Sequence, residues 1–243
     1  MASVLLLGAN SDMAVAMARK FAKNKFDVIL AARNTEPLAL LKSDIEIRYG
    51  VRTEAVVFDA LCFADHQTFY KNLPFVADVT ICVFGYLGDQ QKAMNEWAEA
   101  EKTLNTNYVG AVSILNVVAK DYERRKEGTI VGISSVAGER GRQSNFMYGS
   151  AKAGFTAYLS GLRNHLHKNN VNVITVLPGF VYTKMTENLT LPPALTAKPE
   201  QVAEAVYNAV IKKKNVVYVK WMWRWIMLTI KNIPEPVFKK MKL

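Results

Sequence analysis

The stretch that decides the fold runs from Gly128 to Lys152 and reads GTIVGISSVAGERGRQSNFMYGSAK. Its β-branched start predicts a buried strand that delivers Ser134 and Ser135 at its end. A loop rich in glycine and arginine follows, and a helical pattern then places Tyr148 and Lys152 one turn apart on the same helical face. The stretch therefore predicts a strand, loop and helix that bring hydroxyl groups and an amine together.

These residue types are suited to proton transfer. An ammonium group beside a phenol stabilises the phenolate, so we expect Lys152 to lower the pKa of Tyr148 from roughly 10 toward working pH. Such a tyrosine exchanges a proton with a carbonyl or alcohol oxygen, and a serine hydroxyl holds that oxygen in place. The sequence thus predicts a site that acts on a carbonyl or an alcohol.

Further apolar strand patterns alternate with helical patterns along the chain. They lie at Val4–Leu7, Phe26–Ala32, Glu54–Phe58, Val79–Phe84, Val171–Leu177 and Asn215–Val219. This alternation predicts an α/β fold, a single-domain doubly wound Rossmann-type parallel sheet flanked by helices, over residues 1–219. A basic, tryptophan-rich helical tail is expected over residues 220–243, either as part of the same domain or at an interface.

The first strand is followed by a glycine turn and a helix. The backbone amides at a helix start bind phosphate groups, so this corner is typical of a dinucleotide pyrophosphate site. A turn with a purely structural role is the alternative. The expected cofactor contacts in this corner are Gly8, Asn10, Ser11, Asp12 and Met13.

Arg33 stands directly after the second strand, with no carboxylate beside it. In this fold the position lies near the adenosine ribose, where an arginine pairs with a 2′-phosphate. We therefore expect NADP(H) to be preferred over NAD(H), with a solvated surface arginine as the alternative. Asp59, at the end of the third strand, either accepts a hydrogen bond from the adenine amino group or caps a helix.

Two later segments carry candidate site residues. Asn107 lies in an apolar helix predicted around Glu96 to Val118, where a buried amide either holds neighbouring backbone or works in the site. The loop after the sixth strand is expected to contact a ligand through Pro178, Gly179, Val181 and Thr183. The proline-rich run from Leu191 to Pro199 is a candidate lid over the substrate.

Together these motifs resemble the short-chain dehydrogenase/reductase family, from Val4 to about Val219. The family motifs fall on Gly8, Asn107, Ser135, Tyr148, Lys152, Pro178, Gly179 and Thr183. A spacing of thirteen residues before the tyrosine selects Ser135 over Ser134 as the catalytic serine. The sequence departs from the family where Asp12 and Ala14 replace two glycines of the first turn, and where Val83–Gly85 replaces an Asn-Asn-Ala-Gly segment.

The resemblance implies hydride transfer at a nicotinamide ring, with Tyr148 as general acid in reduction and general base in oxidation. It implies that Lys152 lowers the tyrosine pKa and holds the nicotinamide ribose, while Ser135 positions the substrate oxygen. Asn107 would anchor a water for proton relay, and Thr183 would contact the carboxamide. It also implies homo-oligomers. A 3-ketoacyl reductase and a non-catalytic NADP-binding scaffold are the alternatives.

Composition limits the other classes of function. The two cysteines show no pairing or metal spacing, which predicts buried thiols and a reducing compartment, and the three histidines do not form a metal site, so no metal is expected. No stretch has the apolar length of a membrane span or a signal peptide. A cytoplasmic protein is expected, with the inner membrane face as an alternative location.

The charge is concentrated in the tail. The net charge is +10, and the residues from Lys212 onward contribute +8 of it. Drawn as a helix, Val219 to Ile230 places three tryptophans around a narrow basic stripe. Packing on its own domain or a second subunit is one interpretation, and binding to an anionic membrane surface is the other. No groove-reading motif accompanies the charge, so no nucleic-acid partner is expected.

A second resemblance concerns the tail and the segment Phe84–Asp89. Both are similar to the ketoreductase subunits of decaprenylphosphoryl-ribose 2-epimerases. This similarity implies a keto sugar on a lipid phosphate as substrate, among the wider class of small-molecule or lipid-linked carbonyl and alcohol compounds. An anionic, lipid-linked substrate would explain a basic and tryptophan-rich end on such a domain.

Overall fold

The computed structural model describes residues 2–187 and 190–241. Seven parallel strands form the main sheet in the order β3-β2-β1-β4-β5-β6-β9, and two short strands, β7 and β8, pair beside it. The strands are β1 (Ser3–Leu7), β2 (Asp27–Ala32), β3 (Thr53–Val57), β4 (Val79–Cys82), β5 (Thr129–Ile133), β6 (Asn172–Pro178), β7 (Phe180–Val181), β8 (Thr196–Ala197) and β9 (Val216–Val219).

Helices cover both faces of this sheet. They are α1 (Asp12–Lys23), α2 (Leu38–Tyr49), α3 (His66–Lys71), α4 (Gln90–Asn95), α5 (Trp97–Leu104), α6 (Gly110–Arg125), α7 (Phe146–Leu166), α8 (Pro199–Ile211), α9 (Met222–Asn232) and α10 (Glu235–Phe238). The expected doubly wound, Rossmann-type parallel sheet is confirmed.

The central strands are buried on both faces because a helical layer covers each side. Every residue of β1 is buried, as continuous apolar runs in parallel sheets predict. One core layer joins the sheet to α1, α2 and α8, through side chains such as Phe21. The other joins it to α6 and α7, through side chains such as Leu115 and Phe155. This two-sided core fixes the carboxyl ends of the strands along one edge.

The helix expected around Glu96 to Val118 is divided. Helix α5 ends at Leu104, a π-helical turn spans Asn105–Val109, and α6 continues to Arg125. A π-helical turn inserts one residue into the helical ladder and is frequent at functional sites. The sequence pattern did not predict it, because one extra residue hardly disturbs an apolar periodicity.

One face of the tail packs on the domain. Trp223 and Met227 of α9 are buried in a cluster with Val136 and Leu177. The opposite face of α9 exposes Trp225 and Leu228. The interpretation that the helix packs on its own domain therefore holds for one of its two faces.

Arg140 holds the end of the tail. Its guanidinium donates to the backbone oxygens of Ile230, Lys231 and Ile233 at 2.8–3.1 Å, and it pairs with Glu235 at 2.8 Å. An arginine at a helix C-terminus satisfies carbonyls that have no partner within the helix. The loop between β5 and α7 thus fastens α9 to the domain.

The expectation of two buried thiols is half wrong. Cys82 is buried in β4, whereas Cys62 is exposed. Cys62 lies in the connection between β3 and α3, where the chain has left the sheet, rather than in a strand. Within the described residues, no helix combines the length and apolarity needed to cross a membrane.

Candidate active site

A cavity of about 900 Å³ runs along the carboxyl ends of the strands. Strand order reverses between β1 and β4, and this is where ligands bind in doubly wound sheets. The cavity reaches from Asp59 after β3 to Val181 beyond β6. With strands about 4.8 Å apart, this edge is roughly 24 Å long, which suits an extended two-part ligand.

The structure places nearly all predicted site residues on this one cavity. Those on its wall are Gly8, Asn10, Ser11, Asp12, Met13, Arg33, Asp59, Ser135, Tyr148, Lys152, Pro178, Gly179, Val181 and Thr183. Asn107 is not on the wall but lies directly behind it. Segments far apart in sequence therefore converge, as expected for strand ends on one sheet edge.

Tyr148 and Lys152 stand one turn apart on α7 and face the end of β5. The Lys152 amine is buried, donates to the Ile133 carbonyl oxygen at 3.0 Å, and lies 5.7 Å from the centroid of the Tyr148 ring. The Ser135 hydroxyl accepts from the Ala137 amide at 3.1 Å. Strand, turn and helix thus hold the three polar groups at one end of the cavity.

The expected lowering of the Tyr148 pKa is wrong for this structure. Burial raises the pKa of Tyr148 to about 12, and the nearby Ser135 hydroxyl opposes this only in part. Burial also lowers the pKa of Lys152 to about 8, because a charged amine loses hydration there. Desolvation dominates because the phenol receives no direct hydrogen bond from the Lys152 amine, which donates instead to the Ile133 carbonyl oxygen. Near pH 7 the phenol is neutral and the amine is charged.

The two neighbouring serines have different surroundings. Ser134 donates its hydroxyl to the Lys152 carbonyl oxygen at 3.0 Å and lies 2.7 Å from the Thr156 hydroxyl. Those contacts fasten β5 to α7. The Ser135 hydroxyl accepts one backbone hydrogen bond and still has its own proton to donate. Ser135 therefore has a hydroxyl proton free for a ligand, and its role in positioning substrate stays a prediction.

Asn107 holds backbone with its side chain. Its amide nitrogen donates to the carbonyl oxygens of Tyr86 and Thr103 at 2.6 and 2.8 Å, and its oxygen accepts from the Tyr86 amide at 3.1 Å. These bonds use both donors of the carboxamide. The side chain thus holds neighbouring backbone, as the structural alternative describes, and the role in a proton relay stays a prediction.

The first turn of α1 offers free amides to an anion. The Ala14 amide donates to the Ser11 hydroxyl at 3.2 Å, and the Val15 amide donates to the Ser11 carbonyl oxygen at 3.0 Å. Among the described residues no group accepts from the amides of Asp12 and Met13. These unpaired donors at a helix N-terminus fit the pyrophosphate expected here.

Gly8 requires the absence of a side chain. Its φ is +100°, and a Cβ atom there would lie 2.7 Å from the Phe84 backbone nitrogen. The tight turn brings the end of β1 against the segment after β4 and leaves room for the first turn of α1.

Asp12 does not cap its own helix. Ser11 is the N-cap, and the Asp12 carboxylate accepts from the Lys184 amide at 2.8 Å. The carboxylate of the residue that replaces a family glycine therefore ties the first turn of α1 to the segment after Thr183. This hydrogen bond closes the cavity wall between the two halves of the sheet.

The far end of the cavity contains Arg33 and Asp59. Arg33 is exposed directly after β2, and the neighbouring Asn34 carbonyl oxygen accepts from the Asn10 side chain at 2.8 Å. The Asp59 carboxylate accepts from the Leu61 amide at 2.9 Å, so part of its capacity is used in the local turn. Three strand spacings separate β2 from β5, so Arg33 and Tyr148 stand about 14 Å or more apart.

The candidate lid is wrong in its location. The run from Leu191 to Pro199 contains strand β8, which pairs with β7, and none of its residues lies on the cavity wall. The wall is formed instead by Lys184–Thr186 and by Trp223 of the tail. Trp223 donates its indole nitrogen to the Leu195 carbonyl oxygen at 3.0 Å. The proline-rich run thus lies behind Trp223.

Gly179 makes the position of Trp223 possible. A Cβ atom on Gly179 would lie 1.9 Å from the indole ring, so only glycine lets the tryptophan pack on this loop. Phe180 packs edge-on against the same ring, with centroids 5.4 Å apart. The tail therefore contributes one wall of the cavity.

Among the polar wall residues that sequence reasoning missed, three share one feature. Gln90, Arg142 and Asn145 each carry a buried side-chain atom without a hydrogen-bond partner. Arg142 and Asn145 lie between the predicted serine and tyrosine, and this position in the sequence could have marked them as site residues. Gln90 follows Asp89 in a segment without a motif, so the sequence did not mark it.

The fold and the residues gathered on this cavity point to one class of protein, the oxidoreductases. The sequence pattern of the short chain dehydrogenases matches residues 2–193. The chain belongs to the short-chain dehydrogenase family of oxidoreductases.

Individual relatives agree with this membership. An uncharacterised oxidoreductase of Mycobacterium tuberculosis is 35% identical, over 99% of this chain and 97% of its own. The ketoacyl reductase HetN of Nostoc is 29% identical, over 89% of this chain and 78% of its own. A short-chain dehydrogenase from Sphingobium yanoikuyae in complex with NADPH has a TM-score of 0.83 and 21% identity, with 97% of each chain covered. The last comparison supports the fold.

Proposed function

We propose that this chain is an NADP(H)-dependent reductase that interconverts a ketone and a secondary alcohol. The observation that carries the proposal is the convergence of Ser135, Tyr148 and Lys152 at one end of the cavity. Arg33 and the free amides of α1 lie on the same cavity. One end suits proton transfer to an oxygen, and the rest suits a phosphorylated dinucleotide.

The protonation states of Tyr148 and Lys152 near pH 7 favour reduction of a ketone. With its pKa raised to about 12, Tyr148 is a protonated phenol near pH 7 and gives its proton to a carbonyl oxygen as that oxygen gains charge. The Ser135 hydroxyl donates to the same oxygen and fixes its position. A bound nicotinamide supplies the hydride. The charged Lys152 then stabilises the phenolate left on Tyr148.

The preference for NADP(H) rests on Arg33. Its exposed guanidinium forms no ion pair with a carboxylate of the described residues, so it is available to a 2′-phosphate. Replacing Arg33 with Ala is expected to raise the KM for NADPH about 10-fold or more while leaving that for NADH nearly unchanged. Arg124→Ala, on an 80% exposed side chain remote from the cavity, is the matched control. Equal KM changes for both cofactors would remove Arg33 from this role.

The substrate is best sought by a coupled NADPH-oxidation screen. A ketoacyl reductase is the second candidate, favoured by the likeness to HetN. A keto sugar on a lipid phosphate is the finer candidate, favoured by the basic tail. The panel therefore contains simple ketones, ketoacyl thioesters and keto sugars. If no carbonyl compound is reduced, the proposed function is wrong and the scaffold alternative takes its place.

The exposed face of α9 supports an anionic membrane surface as partner. Trp221, Trp225 and Leu228 are 72%, 57% and 51% exposed and lie three or four residues apart on one helical stripe. Arg224 is exposed on the same side. Tryptophans with flanking basic residues suit the headgroup region of an anionic bilayer. The substrate on a lipid phosphate would be reached from such a surface.

Liposome flotation tests this partner. Removal of the whole tail is a poor test, because Trp223 belongs to the core. The informative variant is Trp221→Ser with Trp225→Ser, compared with wild type on phosphatidylglycerol and phosphatidylcholine vesicles. The proposal expects wild-type flotation with the anionic lipid alone and its loss in the variant. Equal flotation of both proteins would contradict binding of this helical face to a membrane surface. A homo-oligomer stays a prediction that size-exclusion chromatography with light scattering can check.

A further inference from the structure

Two arginines of the loop between β5 and α7 have opposite surroundings. Arg140 is fully engaged with the backbone and Glu235 of the tail. Arg142, two residues on, lies on the cavity wall, and no carboxylate of the described residues forms an ion pair with it. The fold thus uses one guanidinium for structure and leaves the other facing the cavity.

The donors of Arg142 are poorly satisfied. Its Nε is buried without a hydrogen-bond partner, and one Nη donates only to the Met227 sulfur at 3.3 Å. A thioether is a weak acceptor. Burial lowers the pKa of Arg142, although a guanidinium stays charged. A half-buried cation without an anionic partner is costly, so the arrangement indicates a missing anion.

A second donor without a partner lies on the same wall. The Gln90 carboxamide accepts from the Met147 amide at 2.9 Å, which fixes its orientation and leaves Nε2 buried without an acceptor. Met147 is the residue before Tyr148, so this free donor is held next to the proton-transfer end of the cavity. Its position is independent of Arg142, because it comes from α4.

We propose that Arg142 and Gln90 form an anion subsite in the substrate half of the cavity. The substrate would then be a ketone that carries a carboxylate or phosphate group, with its carbonyl at Tyr148 and its anion at the guanidinium. Arginine binds both anions through paired N–H groups, and such charge-assisted bonds are strong. This inference rests on the proposed function and names its substrate class.

A structural role for Arg142 is the competing explanation. Glu139 engages the Tyr218 hydroxyl and Lys231 through one oxygen, while its other oxygen is buried without a partner. A rotation that paired this oxygen with Arg142 would satisfy both groups without any substrate. That role predicts that losing Arg142 weakens the binding of every substrate equally. The loss of Arg142 would then lower the stability of the fold and leave the substrate selectivity unchanged.

Matched substrate pairs separate the two roles. The pairs are 3-oxooctanoate with its methyl ester, and dihydroxyacetone phosphate with dihydroxyacetone. Affinity is measured by isothermal titration calorimetry on the NADP⁺-loaded full chain, and turnover is measured separately with NADPH. The variants are Arg142→Gln and Arg142→Lys, with Arg124→Gln as the exposed control and thermal melting as the check on folding.

The subsite predicts that the charged member of at least one pair binds at least about 10-fold more tightly than the neutral member. Arg142→Gln should abolish this difference, Arg142→Lys should keep part of it, and Arg124→Gln should leave it unchanged. Equal affinities in wild type, binding of neither member, or equal weakening of both members in Arg142→Gln would overturn the subsite. Selective binding without any turnover would contradict the proposed reaction and leave the subsite standing.

Discussion

The wall formed by Trp223 gives the sharpest prediction about the tail. Its side chain is 4% exposed, lies in the cluster with Met227, and donates to the Leu195 carbonyl oxygen. Truncating a buried tryptophan to alanine costs about 3–5 kcal/mol through lost transfer free energy and the cavity left behind. For a domain of this size each kcal/mol shifts the melting temperature by about 2–4 °C. Trp223→Ala is therefore expected to lower it by roughly 6–20 °C.

Trp221→Ala is the matched control, because Trp221 is 72% exposed two residues earlier in the chain. A substitution on that surface should change stability by no more than about 0.5 kcal/mol. The assay is thermal unfolding followed by circular dichroism, with limited trypsin digestion to detect local release at Arg224. Equal melting temperatures and equal digestion rates for the two variants would refute the packing of the tail on the cavity.

Three further predictions concern the candidate site. Ser135→Ala is expected to lower kcat at least about 100-fold by removing the hydroxyl that binds the substrate oxygen, whereas Ser134→Ala should lower stability more than kcat. A larger loss of kcat in Ser134→Ala than in Ser135→Ala, measured by steady-state kinetics, would contradict the assignment. The pKa of about 8 at Lys152 predicts that the reduction rate is highest while the amine is charged and falls as pH rises through about 8, so a pH–rate profile flat to pH 10 would oppose it. Asp12→Asn keeps an acceptor for the Lys184 amide but removes a negative charge near the expected phosphates. Fluorescence titration should therefore show that the variant binds NADPH several-fold more tightly, whereas weaker binding would show that the charge is needed.

The fold could be predicted from the sequence because its signals are local and redundant. Each strand of the main sheet is a short β-branched or apolar run, as in Val4–Leu7, and each is followed by a helical pattern. Burial on both faces makes such runs continuous, so their positions follow from the sequence alone. The Tyr148–Lys152 pair was predictable for the same reason, since helical spacing places both on one face.

The remaining features depend on contacts between distant segments. No periodicity shows that Trp223 packs on Gly179, because that contact joins the tail to the loop after β6. The bond from the Lys184 amide to Asp12 spans 172 residues. The Tyr148 pKa likewise depends on how densely its neighbours enclose it, and burial there outweighs the hydrogen bond from Ser135. Motif reasoning gave the residues, while their electrostatics required the packed structure.

The central claim is that Tyr148 gives the proton that completes reduction, and Tyr148→Phe tests it most directly. Tyr158→Phe is the control on the same helix. The Tyr158 hydroxyl donates to the Asn116 side chain in a 2.9 Å hydrogen bond, and neither residue lies on the cavity wall. NADPH oxidation with the best ketone of the screen should fall at least about 100-fold in Tyr148→Phe, with NADPH affinity unchanged by fluorescence titration, and stay near wild type in Tyr158→Phe. Wild-type turnover in Tyr148→Phe would contradict the claim.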